Sequence, residues 1–402
     1  VPPHLKTVYV LGAGFAAPAG LPVQAAILDR IRAFLLRPDP APLSAEDEFG
    51  RARASLTEFL QRAFPSQTAP PLEDIFTLLD HSISRREHTA GEPWVNLELL
   101  RRHLNLAILF IINEALRTAP RHALTFYRSL AAHFLDLRLD ARQPGDPFSF
   151  ILLNWDNLID TSIFWCVAQA RAVRRADIDY CCYTTALHDS PHIPSLTQRA
   201  HNLFNVKLVK LHGSANWLFC PNCNRMYTGL GSATEFHHRY VVTQYCPSCA
   251  AQRGISLDSF GGIPLAPFLI TPTYLKVFDN PHIQMAWHNA QVELSEAANI
   301  VFVGYSLPEA DYHFRTLLRR SIRQDTSITA VLNDTSSPPR NCPVRARAAY
   351  AVERYRAFFG DGRVRFDLRG AEGYFRAVIG RDSLRRRIVR LRRRFSHLPP
   401  PR

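Results

Sequence analysis

VKLVKLHGSANWLFCPNC, residues 206–223, is the stretch whose reading decides the fold. Val206, Leu208, Val209 and Leu211 form a short β-prone apolar run, too brief for a helix. His212 and Gly213 follow where that strand should stop, and Cys220 and Cys223 close the stretch as a CPNC unit. A second unit, Cys246-Pro-Ser-Cys249, stands beyond a 22-residue excursion from Asn224 to Tyr245. Two Cys-x-x-Cys pairs supply four thiolates, the donor set of one structural zinc, with an iron-bound or metal-free cluster as the alternatives, and four thiolates on a zinc leave no coordination position for a substrate. The pattern therefore predicts an imidazole at a strand's carboxyl end, followed closely by a zinc ribbon over 220–249. His237 and His238 fall inside the excursion and are expected at its surface. Cys166, Cys181, Cys182 and Cys342 have no such spacing and read as buried or incidental thiols.

Working outward, Lys6–Leu11 (KTVYVL) reads as a strand that breaks into GAGFAAPAGLP, Gly12 to Pro22. Glycines there allow close approach to a ligand, and a following helix N-terminus would direct unpaired N–H groups at a phosphate. Phe148–Leu153 is a strand leading into Asn154, Trp155, Asp156 and Asn157; Asn154 and Asp156 fit either a polar site or the cap of the next helix. Pro267–Thr271 is another apolar run. Ile300–Val303 ends in Gly304, Tyr305 and Ser306, and Ile328–Leu332 ends in Asn333 and Asp334. Strands alternating with helices imply an α/β fold with a doubly wound, Rossmann-like parallel sheet. In such a sheet ligands sit outside the carboxyl ends of the strands, where all these polar and glycine-rich turns fall.

Between the first two strands the spacing is helical: Ile27, Ile31, Phe34 and Leu35; Leu56, Phe59, Leu60 and Phe64; Ile75, Leu78 and Leu79; then long helices over Leu97–Leu116 and Phe126–Leu137. The expected organisation is a discontinuous dinucleotide-binding domain (1–22, 148–219 and 250–370), a helical insertion at 23–147 that covers the site or makes an oligomer contact, the ribbon at 220–249, and an Arg-rich C-terminal helix and tail at 371–402.

At 402 residues, with 47% hydrophobic and 21% charged positions, the chain can bury a sizeable core. The net charge of +13 is concentrated at the end: ten arginines and one aspartate from Arg376 onward leave nine of those charges there. The segment Ser383–Phe395 reads as a helix with Leu384, Ile388, Leu391 and Phe395 on one stripe. Its arginines form the solvated face of a docked helix or, alternatively, contact nucleic-acid phosphates. No aromatic residues interleave with them to stack bases. No apolar run approaches the roughly 20 residues of a membrane span, and VPPHLK lacks the segments of a secretory leader. A cytoplasmic protein is expected.

Taken together the constellation resembles the sirtuin family, NAD-dependent deacylases and their NAD-hydrolysing bacterial relatives. By that resemblance Gly12, Ala13, Gly14, Phe15 and Gly20 belong to a phosphate-binding loop, and Asn154 and Asp156 to an Asn-x-Asp element beside the nicotinamide ribose. His212-Gly213 corresponds to the catalytic His-Gly, Gly304-Tyr305-Ser306 to an adenosine contact, and Asn333 to a contact with the adenine ribose. Cys220, Cys223, Cys246 and Cys249 match the family's zinc module. The resemblance covers about Lys6–Leu21 and Phe148–Asp334. Where the deacylases continue their loop with Asp-Phe-Arg, this chain has Val23-Gln24-Ala25, and Ala16 replaces a polar residue. Together with the Asn-Trp-Asp form and the Gly-Tyr-Ser-Leu-Pro string, this implies an NAD hydrolase of the bacterial defence type. NAD would be its substrate, zinc would be structural, and restraint would come from a homo-oligomer or a partner protein. A deacylase or ADP-ribosyl transferase is the alternative on the same fold; a nucleic-acid-binding or partner-recruiting module is the alternative outside it.

Overall fold

A computed structural model of the chain describes residues 6–35, 48–65, 70–140, 146–172, 176–186, 204–228, 245–254, 262–276, 278–337 and 350–396. His237, His238 and Cys342 lie outside them. In chain order the elements are β1 (Thr7–Leu11), α1 (Gln24–Leu35), α2 (Glu48–Ala63), α3 (Leu72–Arg85), α4 (Trp94–Arg117), α5 (Arg121–Arg138), β2 (Phe148–Leu152), α6 (Leu158–Gln169), β3 (Ala176–Asp179) and β4 (Thr184–Ala186). There follow β5 (Phe204–Lys210), β6 (Gly213–Phe219), β7 (Met226–Thr228), α7 (Pro247–Arg253), β8 (Ala266–Leu269), α8 (Pro281–Glu296) and β9 (Asn299–Val303). The chain continues through α9 (Tyr312–Ser321), β10 (Ser327–Val331), α10 (Ala351–Phe359), β11 (Val364–Asp367), α11 (Gly370–Ile379) and α12 (Leu384–Ser396).

Seven of these strands form one sheet in the order β11-β10-β9-β1-β2-β5-β3, and every pairing in it is parallel. The α/β, doubly wound architecture read from the alternation of strands and helices is thus the one observed. Parallel strands carry helices on both faces and so must be apolar throughout. Phe148–Leu152 is buried at every position, and Val8, Val10, Phe302 and Val303 are sealed from solvent. On one face Tyr9, Phe134, Phe148, Phe150 and Phe375 interlock, with ring centroids 4.8–6.1 Å apart. The chain leaves β1 toward β2 on one side and returns to β9 on the other. This puts a topological switch point between β1 and β9, the crevice where such sheets bind ligands.

A second sheet, in the order β4-β7-β6-β8, was not foreseen. The spacing of the thiol pairs on its far side does not mark Ser214–Phe219 as a strand. The chain instead turns at His212–Gly213 and runs on as β6, antiparallel to β7 and β8. Gly213 makes that turn with φ +75°, and a Cβ there would lie 2.2 Å from the Phe268 carbonyl oxygen.

Helices α1 to α4 form a layer in which α4 contacts the other three and reaches β8. Helix α5 lies against α6 and α12. Docking of α12 follows its apolar stripe, since Ile388, Leu391 and Phe395 are buried. Arg390 bridges Asp136 and Asp382 at 3.0 and 2.7 Å, Arg394 holds Asp136 at 2.8 Å, and Arg392 donates to the Gln169 carbonyl at 2.8 Å. Arg387, itself buried, donates to the carbonyls of Ile379 and Asp382. Among the described residues no helix is long and apolar enough to cross a membrane.

Candidate active site

The strand ends β1 and β9 meet through glycine. The Gly12 amide donates to the Val303 carbonyl at 3.0 Å and the Gly14 amide to the Gly304 carbonyl at 2.8 Å. A Cβ on Gly304, whose φ is +61°, would lie 2.2 Å from Gly14 backbone, and one on Gly12 would lie 2.6 Å from the Gly304 carbonyl oxygen. Only hydrogen fits at these positions. The expectation of a helix N-terminus directly behind the loop is corrected: two single 3-10 turns, Ala13–Phe15 and Ala17–Ala19, intervene before α1. Pro18 and the left-handed Gly20 (φ +84°) break the helix there. The amides of Gly12, Gly14, Phe15 and Ala16 already donate to main-chain carbonyls. The loop therefore contributes close approach more than unpaired donors.

Asn154, Asp156 and His212 stand at the neighbouring ends of β2 and β5, all buried. The Asn154 side-chain amide donates to Asp156 Oδ2, and Asp156 Oδ1 accepts the Leu158 amide at 3.0 Å, so Asp156 ties down the first amide of α6 while orienting Asn154. Because the Asn154 NH2 is engaged, its Oδ1 is the end left to other groups, and it has no partner. Burial pushes the Asp156 carboxyl up, against the opposing pull of the Leu158 amide and of Lys210. His212 is pinned through its main chain, with its carbonyl accepting the Ile270 amide at 2.9 Å. Its Nδ1 donates to the Leu153 carbonyl at 3.0 Å, which leaves Nε2 to carry the lone pair. Nε2 also has no hydrogen-bond partner. Burial, helped by the nearby Lys276 charge, pulls the imidazole down to about 4, so His212 is neutral at pH 7.

Two charged groups beside His212, Asp311 and Lys276, carry no signature in the sequence. Asp311 Oδ1 lies 3.7 Å from Nε2 and is ion-paired with Lys276, while Asp311 Oδ2 accepts from Tyr305 Oη at 2.9 Å. Only an acidic residue two positions after Pro-Glu could have signalled it, and sequence offers no way to tell such an Asp from an ordinary cap. Beneath the site, Lys210 is fully buried, bridging Asp160 at 3.0 Å, Ser214 at 2.7 Å and the Asp156 carbonyl at 3.0 Å. Tyr180 and Asn216 complete that network.

These strand ends surround one cavity of about 400 Å³, a size typical of small-molecule sites. Of the residues expected from sequence, Gly12, Ala13, Gly14, Asn154, Asp156, His212, Gly304, Tyr305, Ser306 and Asn333 line it, joined by Lys276, Asp311 and Arg354. Ile27 of α1 and Ile112 of α4 supply apolar lining from the helical layer, beside the polar Gln24. Phe15, Gly20 and Gly213 do not line it. Phe15 is core, edge-to-face with Tyr127 at 5.2 Å; Gly20 is exposed in a turn; Gly213 is held against Phe268.

The four thiols of Cys220, Cys223, Cys246 and Cys249 converge, all within 4.8 Å of one another. Sγ atoms of Cys220 and Cys249, and of Cys223 and Cys246, are 3.7 Å apart. That is far beyond a disulfide's length of about 2.05 Å. It matches the edge of about 3.8 Å of a tetrahedron whose metal–sulfur distance is about 2.3 Å. Cys246 also caps α7, its sulfur accepting the Cys249 amide, and Tyr227 Oη lies 3.1 Å from that sulfur. The donor set fits a zinc ion. Strand β6 separates this cluster from His212 by eight residues, on the order of 25 Å of extended chain, so a metal there takes no part at the cavity.

No protein-family description matches the chain, and no curated protein matches it by sequence. Among solved structures it is similar to Sir2 proteins. A mutant Sir2 homologue in complex with ADP-ribose is 13% identical, with 98% of this chain and 95% of that chain covered and a TM-score of 0.37. A mutant Sir2 with a p53 peptide and NAD is 16% identical, with coverage of 89% and 93% and a TM-score of 0.34. A Sir2 bound to an inhibitor, 2'-O-acetyl-ADP-ribose and a deacetylated p53 peptide is 16% identical, with coverage of 81% and 80% and a TM-score of 0.30.

Proposed function

We propose that the chain is a sirtuin-like NAD hydrolase that cleaves the nicotinamide N-glycosidic bond to give nicotinamide and ADP-ribose. One observation carries this reading: two buried, partnerless polar atoms, Asn154 Oδ1 and His212 Nε2, belong to residues that line the same cavity as the Gly12–Gly304 crossing. A buried polar atom without a partner costs about 1–3 kcal/mol, and a ligand that supplies the partner recovers it.

In the proposed reaction the Gly12–Gly14 turn lets the pyrophosphate approach the main chain, and Ser306 and Asn333 hold the adenosine end. Asn154 Oδ1 accepts from a ribose hydroxyl or the attacking water, its direction fixed by Asp156. The C1'–N bond breaks with its electron pair leaving on nicotinamide. Water oxygen bonds to C1' and its proton passes to His212 Nε2. The apolar lining from Ile27 and Ile112 limits stray water. Zinc, held by the four cysteines, would fix the ribbon that β6 leads into.

Water is favoured over acyl-lysine as acceptor because the groups beside Nε2 are the charged Asp311 and Lys276, poor walls for an acyl chain. NAD depletion in antiphage defence, under control of a partner or of self-assembly, fits the Gly304–Pro308 string named above. Purified protein incubated with NAD, with and without an acetyl-lysine peptide, tests the reading by chromatography of nicotinamide and ADP-ribose. Peptide-independent release of both is expected, reduced at least about 100-fold in His212→Ala and Asn154→Ala, with zinc content unchanged. Undiminished turnover in both variants removes the mechanism.

A further inference from the structure

Asp311 is the residue preceding α9, yet its carboxylate does not cap that helix. It turns to Lys276 and Tyr305, and faces His212 Nε2 at 3.7 Å. Nε2 carries a lone pair, because Nδ1–H is directed to the Leu153 carbonyl. A lone pair facing a carboxylate oxygen repels it, and what relieves the repulsion is the Lys276 ammonium on that same Oδ1. Lys276 itself sits in the segment after β8 that the helical layer holds. The Tyr274 amide donates to Thr77 Oγ1 at 3.1 Å, and Arg101 donates to Thr271 Oγ1 at 3.2 Å.

We propose that Lys276 and Asp311 are positioning residues that set the proton affinity of His212, and that an anionic ligand group drawing Lys276 away exposes Asp311 to His212. The proposal rests on the hydrolase reading for the ligand, whose pyrophosphate is the anion. In the free protein Lys276 neutralises Asp311 and His212 stays neutral. With the dinucleotide bound, Asp311 stabilises the imidazolium formed when the water proton arrives at Nε2. The base thus becomes stronger only when substrate is in place. The remaining groups acting on His212 are His313 on α9, whose charge opposes protonation, and the Trp287 ring at 6.4 Å. Glu73 on α3 acts on Asp311 and Lys276, and Asp156 and Arg354 line the same cavity.

The test is an NMR titration of the full chain carrying 13C-labelled histidine, with the His212 signal assigned by its loss in His212→Gln. Lys276→Met should raise the His212 midpoint by about one to three pH units, Asp311→Asn should lower it, and Lys276→Arg should leave it in place. ADP-ribose should raise the midpoint in the wild type and not in Asp311→Asn. An unchanged midpoint in both Lys276→Met and Asp311→Asn overturns the proposal, as does an equal ADP-ribose shift in the wild type and Asp311→Asn. The free-protein arm decides the pairing even if NAD proves not to be the substrate, which would show separately as an absence of nicotinamide release.

Discussion

Lys210 and His212 are two residues apart and both buried, yet their surroundings differ in one respect. Lys210 has a carboxylate, a hydroxyl and a carbonyl within 3.0 Å, so its ammonium is fully bonded. His212 has one ring nitrogen bonded and the other without a partner, 3.7 Å from an aspartate already bound elsewhere. Residues two apart in an extended strand share a face, but β5 ends at Lys210 and His212 lies in the turn beyond it, so one belongs to the interior and the other to the cavity. A buried ammonium with all its partners is architecture; a buried ring nitrogen without one on a cavity wall waits for a ligand.

The sharpest way to break this comparison is to treat both residues alike. Lys210→Ala removes one partner of a pair that is fully buried on both sides and strands Asp160, which should cost about 3–5 kcal/mol in chemical denaturation. His212→Ala should cost far less, because it also removes an unsatisfied polar atom. Equal losses would erase the distinction.

The next effect is a pH dependence. The folded His212 titrates at about 4, below the ordinary value of 6.5, so between those values the unfolded chain binds the extra proton. Its contribution is therefore neutral above pH 6.5, and stability is lost progressively as pH falls from 6.5 toward 4, by on the order of 3 kcal/mol in all. Melting curves of the wild type and His212→Ala across pH 4–8 should diverge in that window, and parallel curves would contradict it.

The smallest effect is expected at the far end. Arg385 and Arg386 are exposed on α12, unlike Arg390 and Arg394, which hold Asp136. Changing both exposed residues to Gln should alter stability by less than about 0.5 kcal/mol and leave nicotinamide release unchanged. A substantial loss of release would favour a binding role for that face.

The cavity-lining turns were legible because parallel sheets present their strand ends on one edge, so Gly12, Asn154, His212, Gly304 and Asn333 could be placed together from strand periodicity alone. The four cysteines were legible from spacing. Phe15, Gly20 and Gly213 stand off the cavity lining, because a motif does not say which of its residues face inward, and packing against Tyr127 decides that for Phe15.

By itself the sequence determined the parallel sheet and the thiol cluster, since burial on both faces and paired Cys-x-x-Cys units are local patterns. Tertiary structure alone decided that Gly213 turns the chain into a second sheet, that Lys276 and Asp311 meet beside His212 from segments 35 residues apart, and which buried polar atoms stay unpaired. Each of these depends on distances between segments remote in sequence, which no local pattern encodes.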